Sequence, residues 1–307
     1  MELAYHVVDV FTTTPLEGNP LAVFPDAREI ETNTMQRIAR ELNLSETTFV
    51  LPAQSQGGAT RVRIFTPNTE MEFAGHPTIG TAYVMRRLGI VPSQATTFVL
   101  EENVGPVRIR VDAGNDPILW LTTPEIHDLG RVERELCAAA VSLNESDLLG
   151  DLACEVLSAG NPILFIPIKD PASVDRACID TAALTHVLQR CVAAPCLFVF
   201  APTGAGAYSR MFAPHLGVYE DPATGSATGP LAGYMMKYGL AARADGTRFL
   251  SEQGCKMGRR SLLHVLIHGA SGEAGIEVGG NVTHVATGRL RVPSSAERQQ
   301  SDVSICN

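Results

Sequence analysis

Apolar residues in this chain fall mostly into short runs broken by Gly, Pro and Asn, with few stretches at helical spacing. Residues 6–11 and 21–24, separated by a Pro/Gly turn, read as strands, as do 47–51 and 61–66. Met35, Ile38, Ala39 and Leu42 recur at helical spacing and predict a helix over 34–42. Pro77 suits the first turn of a helix, where its missing N–H costs nothing, and the helix then runs over 78–88. That segment, and a second over 227–238, is apolar or small on nearly every side, the mark of a buried helix. Further strands are expected at 107–111, 118–121, 262–267, 275–278 and 290–292, and helices at 132–141 and 183–192. Residues 294–307 are polar and aperiodic and are expected to form a disordered tail.

Within this pattern the chain carries a partial copy of itself. Gly18-Asn19-Pro20-Leu21 recurs as Gly160-Asn161-Pro162-Ile163, and Arg63-Ile64-Phe65-Thr66-Pro67 recurs as Arg210-Met211-Phe212-Ala213-Pro214. Gly75-His76-Pro77, ahead of the first buried helix, has its mate in Gly225-Ser226-Ala227 ahead of the second. A buried helix surrounded by short strands, twice over, predicts an α+β fold of two pseudo-symmetric lobes with a cleft between them. Such clefts are where small-molecule sites lie. The first lobe is expected over 1–117 and the second over 118–285, with the last strand, about 286–293, a candidate to cross back to the first.

Composition narrows the function classes. At 307 residues and 45% apolar, the chain is long enough for two domains. The net charge is −9 and Lys and Arg are dispersed, so no basic stripe exists to neutralise phosphates and nucleic-acid binding is not expected. No apolar run reaches the roughly 20 residues of a membrane span. Seven scattered Cys fit a reducing compartment, and the N-terminus lacks the basic region of a signal peptide, so a cytoplasmic location is expected. Cys191 and Cys196 form the only close Cys pair, with no second pair at ligand spacing, and no metal is assigned.

Gly75-His76-Pro77 and Thr224-Gly225-Ser226 each place Gly and a polar residue at a helix entry. The first N–H groups of a helix have no intrahelical partner and the dipole there favours negative charge, so such an end holds a carboxylate without Arg. Alone, each segment reads first as an ordinary cap; the repeat pairs them and turns the reading to one anion site. Glu46 lies where a helix hands over to a strand, between Leu44 and Phe49, and reads either as a solvated loop acid or as a desolvated general base. Asp221, before Pro222, is a turn starter or a group that orients a substrate amine or holds His76 in one tautomer. Glu70, Glu72 and Glu220 read as rim residues.

These segments together resemble the phenazine-biosynthesis (PhzF-like) isomerase family, which shares the diaminopimelate-epimerase fold. The likeness rests on the segment Pro15 to Phe24, on Asn43-Leu44-Ser45-Glu46-Thr47-Thr48-Phe49-Val50, and on Phe73-Ala74-Gly75-His76-Pro77. In the second half it rests on Glu220-Asp221-Pro222-Ala223-Thr224-Gly225-Ser226-Ala227 and on Met257-Gly258-Arg259. The resemblance implies mixed, barrel-like sheets each wrapped around a central helix, no metal or organic cofactor, and a homodimer. It implies that Glu46 removes and returns the proton, with His76 and Asp221 as catalytic partners. Asn19, Gly75, Gly225 and Ser226 are then the expected substrate-binding residues, and the substrate is a small carboxylic acid such as a dihydro-3-hydroxyanthranilate. Amino-acid epimerases of this fold use two thiols at the helix entries; here those positions hold Ala74 and Thr224. That departure favours moving a proton along a conjugated system, with epimerisation of an amino-acid-like substrate and a catalytically silent carboxylate-binding protein as the alternatives.

Overall fold

The computed structural model describes residues 1–53, 60–114, 116–269 and 275–292. The segment 294–307, expected to be a disordered tail, lies outside them. Strands dominate, and the repeat in the sequence is repeated in their pairing. In the first lobe Asn19–Phe24 runs parallel to Glu46–Leu51, which pairs antiparallel with Thr60–Phe65, itself parallel to Thr97–Glu102, which pairs with Gly105–Val111. In the second, Pro162–Pro167 runs parallel to Cys196–Thr203, then Gly206–Ala213, Thr247–Gln253 and Ser261–Ile267 follow in the same alternation. The two runs of strands are linked through Leu119–Thr122, which pairs with Gly105–Val111 on one side and with Ile276–Gly280 on the other.

Each lobe wraps a central helix, Gly75–Arg87 in the first and Gly225–Lys237 in the second. Ile79, Ala82, Val84 and Met85 of the first are fully buried among Val8, Val10 and Leu21. Leu231, Tyr234 and Met235 of the second lie among Phe165, Phe198 and Phe200. Both helices begin two or three residues earlier than the sequence predicts, so Gly75 and Gly225 are helical rather than preceding loops. The lobes also share a brace: Arg63 pairs with Glu70 and lies over the Phe65 ring, as Arg210 pairs with Glu220 and lies over Phe212. Glu70 and Glu220, read as rim acids, are half-buried structural partners.

The final strand is Val282–Arg291, beginning earlier than the expected 290–292 or 286–293, and it pairs along its length with Glu2–Val10. Its residues are partly or fully exposed on both faces, so no apolar alternation marked it; the partner strand, not its own pattern, holds it extended. His127–Val132, almost wholly exposed, is likewise a strand through its pairing with Cys154–Ser158. The short apolar runs Cys154–Ser158 and Pro162–Pro167 are strands that the sequence reading did not assign.

Candidate active site

The two central helices meet N-terminus to N-terminus, with the backbone of Gly75 packed on that of Gly225. Gly75, His76, Gly225 and Ser226 lie in the first turns, where N–H groups have no carbonyl one turn back in the helix to bond. Pro77 carries no N–H to leave unsatisfied. Two positive dipole ends therefore face one point, and a cavity of about 550 Å³ opens over it, lined from both lobes. Among the described residues no Lys or Arg lines it; the charged groups on its wall are the carboxyls of Glu46 and Asp221.

Glu46 opens its strand beside the helix entry, and its Oε2 lies 3.2 Å from His76 Nε2, although the two are not aligned as a hydrogen bond. Burial, and then the nearby charge of Asp221, raise the Glu46 carboxyl well above its ordinary range. His76 is 5% exposed, and burial lowers its pKa to about 3, so the ring is neutral at physiological pH. Its Nδ1 lies 3.2 Å from Asn19 Nδ2, an amide nitrogen that only donates. The neutral ring thus carries its proton on Nε2, the nitrogen nearest Glu46.

Asn19 is fully buried and does not line the cavity. The structure places it behind the wall, where Nδ2 reaches Asp221 Oδ1 and the Ala223 carbonyl, both at 2.9 Å, as well as His76. Reversing the amide would set its oxygen against a carboxylate and a carbonyl, so the network itself fixes the orientation. Asp221 accepts from Thr224 Oγ1 at 2.5 Å on its other oxygen. Burial raises Asp221 to about 6, with the hydrogen bonds from Thr224 and Asn19 opposing the shift.

Gln253, which sequence reasoning missed, completes the arrangement. Its Nε2 donates to the Asp221 carbonyl at 2.8 Å and to Thr224 Oγ1 at 3.0 Å, while its Oε1 accepts from Thr224 N–H. A single amide inside the strand Thr247–Gln253 carries no spacing signal that could have marked it. All seven candidate residues are thus within one neighbourhood: Glu46, His76, Asp221, Gly75, Gly225 and Ser226 on the cavity wall, and Asn19 bracing two of them. Ala74 and Thr224 occupy the residues just before the helices, so neither entry presents a thiol. Among the described residues no cluster of His, Cys, Asp and Glu is set to hold a metal.

Residues 8–288 match the phenazine biosynthesis-like protein family, PhzC-PhzF. The chain belongs to this family. It is 36% identical to a trans-2,3-dihydro-3-hydroxyanthranilate isomerase of Pseudomonas chlororaphis, over 90% of this chain and 95% of that protein. An uncharacterised isomerase of Mesorhizobium japonicum is 37% identical over 93% of this chain and 98% of its own. The crystal structure of a PhzF-family protein from Bacillus anthracis superposes with a TM-score of 0.86 at 24% identity, covering 95% of this chain and all of that one, and shows the shared fold. This PhzF-type chain is an isomerase with the α+β, two-lobed architecture of that fold. Among the described residues no helix is long and apolar enough to cross a membrane.

Proposed function

We propose that this protein moves a proton between carbons of a small unsaturated carboxylic acid, using its own side chains and backbone without metal or organic cofactor. The observation that carries the reading is the Glu46 carboxyl, 16% exposed with its Oε2 covered, held beside two converging helix entries in a cavity that, among the described residues, no Lys or Arg lines. Once ionised, a carboxylate with a raised pKa is a stronger base than an exposed one and takes a carbon-bound proton more readily. The amides of Gly75, His76, Gly225 and Ser226 hold the substrate carboxylate and the negative charge that spreads into it. A fixed donor of that kind is typically worth on the order of 3–4 kcal/mol of barrier. His76, neutral, steers its Nε2–H toward Glu46, and Asp221 faces an amine or hydroxyl of the substrate. The relatives named for trans-2,3-dihydro-3-hydroxyanthranilate make that ring acid the first substrate to try. A cytoplasmic homodimer belongs to the same proposal, and sedimentation velocity tests the dimer.

The deciding experiment is turnover in heavy water. Deuterium is expected at a carbon of the product, and Glu46→Gln is expected to abolish that incorporation while leaving carboxylate binding largely intact. Undiminished carbon exchange in the Gln variant refutes the role given to Glu46.

A further inference from the structure

Strand register gives Gln253, which braces the second helix entry, a mate in the first lobe. Arg63-Ile64-Phe65-Thr66-Pro67 repeats as Arg210-Met211-Phe212-Ala213-Pro214, so Arg61 and Tyr208 are equivalent. Arg61 pairs in parallel with Glu101, and Tyr208 pairs in parallel with Glu252. The next residues, Glu102 and Gln253, each close their strand, and both are buried. Each reaches the entry of its own lobe's central helix. Gln253 holds Thr224, and Glu102 Oε1 lies 2.7 Å from Thr78 Oγ1.

An amide such as that of Gln253 both donates and accepts, whereas a carboxyl does so only while it holds a proton. The proton count at Thr78 decides which form Glu102 takes. Thr78 Oγ1 also lies 2.7 Å from the Ala74 carbonyl, a bond that Thr228 repeats with the Thr224 carbonyl at 3.0 Å in the second lobe. A hydroxyl carries one proton and a carbonyl none, so the hydrogen between Thr78 and Glu102 comes from Glu102. The chain then runs from the Glu102 acid to the Thr78 hydroxyl to the Ala74 carbonyl, just ahead of Gly75 and His76. Burial raises the Glu102 pKa to about 8, with Thr78 and Arg61 opposing the shift. Its Oε2 is buried without a partner, which costs far less in the neutral acid than in a carboxylate.

We propose that Glu102 is a positioning residue of the anion site. As a neutral acid it secures the first helix entry through Thr78, and on losing its proton it sets a negative charge behind the amides of Gly75 and His76 that weakens their hold on a carboxylate. The inference rests on the reading of those amides as the anion site. Ionised, Glu102 draws the Thr78 proton away from Ala74 and competes with the substrate for the positive end of the helix. Among its neighbours, Arg61 of the strand Thr60–Phe65 favours the charged form. Glu70 is paired with Arg63, and Glu72 lines an outer groove with both arginines. Arg108 and Arg110 alternate with the buried Val107, Ile109 and Val111 and so lie on the opposite face of their strand. On the helix itself, His76 is neutral beside Glu46, and Arg86 and Arg87 stand in the last turn.

The test follows backbone amide signals by NMR from pH 6 to pH 9.5 in the native protein, Glu46→Gln and Glu102→Gln, with Glu102→Met standing in if the Gln variant does not fold. The Gly75 and His76 signals are expected to carry a transition near pH 8 in the native protein and in Glu46→Gln, and to lose it when Glu102 is replaced. A transition that persists without Glu102, or that vanishes in Glu46→Gln, overturns the proposal. Anthranilate, a stable ring acid ionised over this whole range, is then titrated by calorimetry. Between pH 6.5 and pH 9.5 its Kd is expected to rise about tenfold more in the native protein than in Glu102→Gln, the order expected of one partly buried charge near another. Glu46 and Asp221 also ionise on the cavity wall, and the Gln variant keeps both, so the difference between the two proteins is the measure. Equal rises overturn the proposal while leaving the anion site standing. No binding of anthranilate at pH 6.5 instead fails the reading of the helix entries as an anion site, and the proposal with it.

Discussion

A Cβ on Gly75 would lie 3.0 Å from both the Cα and the carbonyl carbon of Gly225, and 3.1 Å from the Ser226 nitrogen. Few real Cβ atoms sit that close, and the neighbour here is backbone, which cannot swing aside as a side chain can. The glycine is therefore favoured by the approach of two helices, not by its dihedral angle. Gly75→Ala is expected to push the helix entries apart, costing about 1–3 kcal/mol of stability as overpacked cores do. Because the entries form the anion site, the Kd for a bound carboxylate should rise at least tenfold even where the protein remains folded. Thermal unfolding and calorimetric titration measure the two effects, and native affinity in the variant would show that the amides do not hold the carboxylate.

Glu46 and Asp221 share one water-poor wall, and the charge of Asp221 is one cause of the raised Glu46 carboxyl, after burial. A base must be ionised to act, so kcat/KM is expected to rise with pH through an acid limb lying well above the ordinary carboxylate range. Removing a neighbouring negative charge makes ionisation of Glu46 easier, so Asp221→Asn should move that limb to lower pH. His76, lowered to about 3, contributes no limb between pH 5 and 9. A pH–rate profile of native and variant enzymes decides this; a limb unmoved in Asp221→Asn separates the two carboxyls.

The repeat made much of this site legible. Paired segments at the helix entries could be read as neighbours because one lobe's layout constrains the other's, whereas Glu46, at the start of the strand Glu46–Leu51, is joined to them only through the family resemblance of its segment. What the sequence hid was hidden for physical reasons. Val282–Arg291 borrows its conformation from a partner strand almost the whole chain away, so nothing local announces it. Asn19 reads as a pocket residue from its motif, yet it acts behind the wall, since one amide reaches His76 and Asp221 only from the rear.

Gln253 holds Thr224 from both ends of its amide and Asp221 through the main chain. Gln253→Ala strands a buried N–H and a buried carbonyl, each worth about 1–3 kcal/mol when left unpaired. Thr224 is then free to turn from Asp221, whose orientation toward the cavity is held by that hydroxyl. A fall in kcat of about tenfold or more is expected, with a smaller change in KM, since the residue supports the site without lining it. Stability and steady-state kinetics on the same preparation distinguish this from simple unfolding; unchanged kcat would remove Gln253 from the site's support.

Glu102 is another buried acid, 2% exposed, outside the cavity lining. Its Oε1 lies 2.7 Å from Thr78 Oγ1 in the first turn of the helix Gly75–Arg87, and its Oε2 has no partner. Burial raises its pKa from 4.5 to about 8, against the opposing effects of Thr78 and Arg61. The folded state therefore holds a proton that the unfolded chain releases, so this group makes stability fall as pH rises from about 4.5 to about 8. At one pKa unit per 1.36 kcal/mol, the loss between pH 5 and pH 8 is on the order of 3 kcal/mol. Glu102→Gln removes the titration while keeping the shape; any cost of a stranded amide hydrogen is the same at every pH. The variant should gain on the native protein by that amount between pH 5 and pH 8. Denaturant unfolding at the two pH values gives the comparison, and parallel curves would mean that Glu102 ionises as easily in the folded protein as in the unfolded chain.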